Sequence, residues 1–181
     1  MNAIGVVELI SIARGYAAAD AMLKAANVQL HAAKPVCPGK YAILVYGGVA
    51  DVHSSVEAGV EAGGQFVVDQ LVIANIHPSV WPAVTGVLAP PRIRALGIIE
   101  TYSIASTVLA ADAAVKAAGV ELVEVRLALG LGGKAYATVT GEVSDVAAAV
   151  EAATELASAR GMLTEAVVIP APAAGLAEFT I

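Results

Sequence analysis

The sequence predicts an α+β protein built as two tandem copies of one βαββαβ unit. Two observations carry this prediction: a repeat that covers nearly the whole chain, and an alternation of strand-like and helix-like apolar periods inside each copy. The repeat is read first, since an overlooked repeat misassigns the entire fold. Ile4-Gly5-Val6-Val7-Glu8, Ser11-Ile12-Ala13 and Ala19-Asp20-Ala21-Met22-Leu23-Lys24-Ala25-Ala26 recur as Leu96-Gly97-Ile98-Ile99-Glu100, Ser103-Ile104-Ala105 and Ala111-Asp112-Ala113-Ala114-Val115-Lys116-Ala117-Ala118, 92 residues later. Gly39-Lys40 and Gly47-Gly48-Val49-Ala50-Asp51-Val52 return at an offset of 94 as Gly133-Lys134 and Gly141-Glu142-Val143-Ser144-Asp145-Val146. Two residues are therefore inserted in the second copy between Lys116 and Lys134. Ile73 meets Ile169 at an offset of 96. The domains are expected at 1–94 and 95–181, joined by a Pro-rich connector from His77 to Arg92.

Within the first copy, Ala3 to Leu9 is a β-rich run. Ile12, Tyr16, Ala19, Leu23 and Ala26 then recur at spacings of four and three, the stripe of an amphipathic helix. Val28, Leu30 and Ala32 alternate with Gln29, His31 and Ala33 as a half-buried strand does. Tyr41 to Tyr46 pairs back after a loop. Val52, Val56 and Val60 mark a second helix behind Asp51, and Phe66 to Ile73 closes the unit. This order is that of the split, ferredoxin-like sandwich.

Composition narrows the function. Of 181 residues 58% are hydrophobic, 14% charged and only 4% aromatic, and mean hydropathy is +0.76. So much apolar surface in so small a chain implies burial between subunits, so an oligomer is expected. A membrane span is not: the longest charge-free stretch, Gln70 to Pro91, holds Asn75, His77 and four prolines, which a spanning helix would not carry together. No basic region precedes the first apolar residues, so no secretory signal is evident and a cytoplasmic protein is expected. The net charge of −6 resides entirely in the second copy, which has four basic and ten acidic residues against six and six before it. There is no basic field for a nucleic acid.

Gly130-Leu131-Gly132-Gly133-Lys134-Ala135 matches a dinucleotide-binding fingerprint, but Tyr136 to Gly141 then alternates like a strand where a phosphate cradle needs a helix. The motif reads as a glycine loop between paired strands. His31, His53 and His77 share no metal-ligand spacing with one another or with Cys37; His31 is expected on the polar face of a strand and His53 in the first turn of a helix. No nucleophile with its base stands out and no catalytic residue is assigned, so the chain does not read as an enzyme. Cys37 is the exception among the bland features. Lys34-Pro35-Val36-Cys37-Pro38-Gly39-Lys40 reads as an exposed loop between strands. Were three chains to meet there, three thiolates would converge, with Lys34 and Lys40 favouring their charged form.

The repeat motifs, taken in order, resemble the shell-protein domain of bacterial microcompartments. Their duplication is similar to the tandem-domain class, in which three chains form a flat pseudohexamer that tiles a shell with other shell proteins. Around Cys37, Asn75-Ile76-His77 and Gly130 to Lys134 the chain resembles the iron–sulfur tandem shell proteins of propanediol-utilisation compartments. This resemblance implies a homotrimer with a [4Fe-4S] cluster on its axis, held by Cys37 of three chains, for electron transfer across the shell to a lumenal or cytosolic redox partner. It also implies a central opening lined by Val36, Cys37, Pro38, Gly130, Leu131 and Gly132, and edge lysines Lys24 and Lys116 where tiles meet. The family's Pro-Arg-Pro-His edge segment is replaced by Asn75-Ile76-His77 and Ala171-Pro172-Ala173. Two other readings stand beside it: the same tile without a cluster, whose opening gates small metabolites, and a soluble ferredoxin-like trimer that binds a regulatory small molecule between subunits.

Overall fold

The computed structural model describes residues 3–88, 91–128 and 130–179. The first repeat runs β1 (Ala3–Leu9), α1 (Ile12–Ala25), β2 (Gln29–Val36), β3 (Lys40–Gly47), α2 (Val49–Gly63), a 3-10 turn (Gly64–Phe66) and β4 (Val67–Ala74). A short helix α3 (Val80–Thr85) lies in the connector. The second repeat runs β5 (Ala95–Thr101), α4 (Ile104–Ala117), β6 (Glu121–Arg126), β7 (Ala135–Gly141), α5 (Val143–Ala159) and β8 (Leu163–Ile169), and α6 (Ala174–Phe179) comes last. The sheets have strand orders β2-β3-β1-β4 and β6-β7-β5-β8, with every neighbouring pair antiparallel. This is the expected ferredoxin-like βαββαβ topology, twice.

Strand register reproduces the repeat residue by residue. Gly5 faces Val45 as Gly97 faces Val139. Bulges fall at Glu8/Leu9 and Glu100/Thr101, and again at Leu30/Ala32 and Leu122/Glu124. Lys34 pairs with Ala42 and Arg126 with Tyr136, so β6 still keeps the offset of 92. The two inserted residues thus lie after Arg126, in the loop that leads to β7.

Each helix layer presses on its sheet where glycine permits it. A Cβ on Gly5 would lie 2.6 to 2.9 Å from methyls of Val56, Val52 and Val45; on Gly97 it would meet the equivalent Val150, Val146 and Val139 at 2.7 to 2.9 Å. Such distances are inside van der Waals contact, so only glycine lets the second helix of a repeat lie this close to its central strand. The core of the first sheet gathers Val7, Leu9, Met22, Tyr41, Ile43 and Val52. Tyr41 is fully buried, its ring packed on Gly15 and its hydroxyl donating to the Ala33 carbonyl at 2.9 Å, so its polar tip is satisfied.

Several boundaries differ from expectation. The turn between β2 and β3 is only Cys37-Pro38-Gly39, because β2 runs through Val36 and β3 starts at Lys40. Helix α2 begins at Val49, ahead of Asp51, which places His53 beyond the first turn. The connector contains α3, whose signals the prolines mask: Pro82 stands in the first turn, where an amide hydrogen has no intrahelical acceptor to lose. Gly86 ends the helix at φ +72, and the Val87 amide donates back to the Pro82 carbonyl. Val80 and Ala83 are buried, and α3 packs against β6. No described helix is long and apolar enough to cross a membrane.

By compactness the chain forms two units. The first extends to Ile76 and includes Ser103–Ala105 and Ala128–Gly133; the second holds His77–Tyr102, Ser106–Leu127 and the chain from Lys134 onward.

Candidate functional site

Cys37 lies at the tip of the tight turn that joins β2 to β3, and its side chain is half-buried. The turn is closed by the Gly39 amide, which donates to the Val36 carbonyl at 3.0 Å, and Gly39 takes φ +91, a value that suits glycine. The glycine loop of the first unit lies against it. The Cys37 amide donates to the Ala128 carbonyl at 3.2 Å, and a Cβ on Gly133 would come within 2.7 Å of Pro38 Cδ. Gly130, Gly132 and Gly133 all have positive φ, as does Ala128. The glycines thus serve backbone turns and close approach, and β7 comes after them where a dinucleotide loop would start a helix.

Around the thiol, Val36 is buried, Pro38, Gly130 and Gly132 are exposed, and Leu131 is half-buried. Lys34 lies within β2 and not in a loop. Lys40 turns to the Glu8 carboxylate at 3.6 Å, so its charge is engaged there. Among the described residues no group of three or more His, Cys, Asp or Glu is placed to hold a metal. His31 and His53 are exposed; burial, then nearby Lys34, lowers the His31 pKa. His77 is half-buried, its Nδ1 2.8 Å from Ser79 Oγ.

The two lysines expected at the tile edge, Lys24 and Lys116, are equivalent in sequence and unequal in structure. Lys24 pairs with Asp20 at 2.6 Å, with both side chains largely exposed. Lys116 pairs with Asp112 at 2.5 Å, and that carboxylate is only 6% exposed. Its other oxygen accepts the His77 amide at 2.7 Å.

The structure reveals a further polar site, whose signal lies in the repeat: a glutamate ends each apolar motif, Gly-Val-Val-Glu and Gly-Ile-Ile-Glu. Glu8 is 1% exposed. In the first unit its carboxylate accepts the Ala105 amide at 3.0 Å, at the positive end of a 14-residue helix. Beside it the Ser103 hydroxyl donates to Asp69. Burial pushes the Glu8 pKa up; the Ala105 amide and then Lys40 oppose the rise.

The chain is thus a tandem α+β protein, with one unit of this topology per repeat and its one cysteine in a short turn of the first. The BMC domain family matches residues 3–76 and 95–172, once per repeat, and the chain belongs to that family as a tandem-domain microcompartment shell protein. It is 48% identical over 94% of its length, and 93% of the relative's, to the bacterial microcompartment shell protein PduT of Citrobacter freundii. It is 34% identical to the carboxysome assembly protein CcmO of Synechococcus elongatus, covering 94% of this chain and 66% of that one. A crystal structure of a microcompartment protein from Desulfitobacterium hafniense DCB superposes with a TM-score of 0.90 at 52% identity, over 98% of this chain and 99% of the other. A fused permuted hexameric shell protein of the RMM microcompartment shares the fold alone, with a TM-score of 0.63 at 20% identity over 86% and 83% of the chains.

Proposed function

We propose that the chain is a homotrimeric, pseudohexameric tile of a bacterial microcompartment shell in the cytoplasm, in which Cys37 of three chains holds a [4Fe-4S] cluster on the threefold axis. The observation that carries the reading is the Cys37 turn: a half-buried thiol at the tip of a short turn, braced by the Ala128 carbonyl and Gly133. The donor set fits such a group. Each chain brings one soft thiolate, and three leave one iron for a ligand from elsewhere, in place of the usual four cysteines. When bound, the cluster supplies one-electron transfer, for a redox partner on either side of the shell. The chain's own contribution is positional: the glycine loop fixes the Cys37 backbone, and Pro38, Gly130 and Gly132 leave its surroundings open. Lys24 and Lys116 meet neighbouring shell proteins at the tile edge.

Leu131 favours a second reading. It stands opposite Cys37 in the repeat, so a trimer without a cluster would carry an alternating ring of thiol and leucine that gates small metabolites. Anaerobic purification of wild type and Cys37→Ser, with iron and sulfide assays on the sized trimer, separates the two. About four irons per three chains, absent from the variant, supports the cluster. No iron in wild type after anaerobic reconstitution rejects it and leaves the gated tile.

A further inference from the structure

Helix α2 and the edge strand β4 share polar groups that the shell and cluster reading does not use. His53, Val56 and Glu57 of α2, with Gln70, Leu71 and Val72 of β4, line a polar groove of about 400 Å³ in the first unit. Side chains alternate along a strand, so Gln70 shares the helix side of β4 with Val72, which packs against the core beneath the helices.

The second repeat builds the same walls without these groups. The counterparts are Ala147, Val150 and Glu151 on α5 and Ala166, Val167 and Val168 on β8, with Ala166 facing Ile99 as Gln70 faces Val7. Alanine at both positions of that copy shows that the fold does not need the imidazole of His53 or the amide of Gln70.

The spacing of the charged pair is specific. His53 Nδ1 lies 3.3 Å from Glu57 Oε1. Two ligands about 2.1 Å from a zinc ion at the tetrahedral angle stand about 3.4 Å apart. The ring nitrogen and the carboxylate oxygen therefore already occupy the separation of two vertices of such a site. They lie four residues apart on one helix face, so they can close on an ion without backbone movement. Both side chains are largely exposed, 61% and 68%, and an exposed ion pair by itself contributes little to stability.

We propose that His53 and Glu57, with the amide oxygen of Gln70, form a binding site for a divalent d-block cation of the zinc type, completed by water. The imidazole and the carboxylate are the strong ligands, and Gln70 adds a weaker oxygen from β4, so the ion ties α2 to the edge of its sheet. The site depends on neither the cluster nor the trimer.

Isothermal titration of zinc chloride into the full-length Cys37→Ser chain tests this, because that substitution removes the one thiolate that would compete for zinc. About one ion per chain is expected. His53→Ala and Glu57→Gln, each added to that chain, are expected to weaken binding at least about tenfold, and Gln70→Ala to weaken it less. Circular dichroism melts without zinc check that these variants keep the fold, as alanine at 147 and 166 of the second repeat predicts. No binding to the parent chain overturns the site. So does binding that His53→Ala or Glu57→Gln leaves unchanged, which would place the ion elsewhere.

Discussion

Glu8 sets the most direct test of a single residue. Its pKa is raised by burial, so the folded state holds a proton more readily than the unfolded chain. Stability is therefore greatest below the ordinary carboxylate value of 4.5, and falls as pH rises from there through the folded value, by at most about 1.4 kcal/mol per pH unit. Glu8→Gln removes that slope and keeps an acceptor for the Ala105 amide, whereas Glu8→Ala strands the amide and costs about 1–3 kcal/mol. Thermal melts of wild type and both variants from pH 4 to 8 measure it; a wild-type slope that survives in Glu8→Gln assigns the effect to another group. The carboxylate is legible in the sequence as a repeated motif residue. Its burial is not, because the amide that stabilises it lies 97 residues away.

At the scale of elements, the helices are legible and their distance from the sheet is not. Periodicity predicts α1 but not its inner face: of the expected stripe Ile12, Tyr16, Ala19, Leu23 and Ala26 only Ala19 is buried, and the helix turns Gly15, Ala18, Ala19 and Met22 inward. The structure also supplies the reason for a glycine inside that helix: a Cβ on Gly15 would lie 2.3 Å from the Tyr41 ring. Gly15→Ala gains helix propensity of about 1 kcal/mol, but the ring is fully buried and held by its hydroxyl to Ala33. Overpacking is therefore expected to win, with a net loss of about 1–3 kcal/mol. Urea unfolding followed by circular dichroism reports it, and an unchanged midpoint would mean that α1 can move off the sheet at little cost. The connector shows the opposite failure. Its prolines conceal α3, since the first turn of a helix tolerates what its interior does not.

For the whole molecule, the two lysines that the proposed function assigns to the tile edge are expected to separate assembly from stability. Lys24→Ala removes an exposed i,i+4 pair and is expected to change stability by no more than about 0.5 kcal/mol. Lys116→Ala takes the neutralising charge from the buried Asp112 and leaves the His77 amide to hold it, and is expected to cost about 1–3 kcal/mol. Electron microscopy of the double variant is expected to show sheets or tubes lost while trimers persist in solution. Persistent sheets would move the tile edge away from these residues. Equal melting temperatures for the two single variants would contradict the inequality of their carboxylates.

Periodicity, spacing and composition are local properties, and they alone establish the duplication, the βαββαβ order, the separation of charge between copies and the prominence of Cys37. Three-dimensional packing settles the rest: Lys40 pairs with the buried Glu8, the insertion lies in the loop braced against Pro38, and matched residues such as Ile12 and Ile104 differ in burial. Those outcomes depend on which distant segment covers a face, and two copies of one pattern carry the same local information whether or not they are covered.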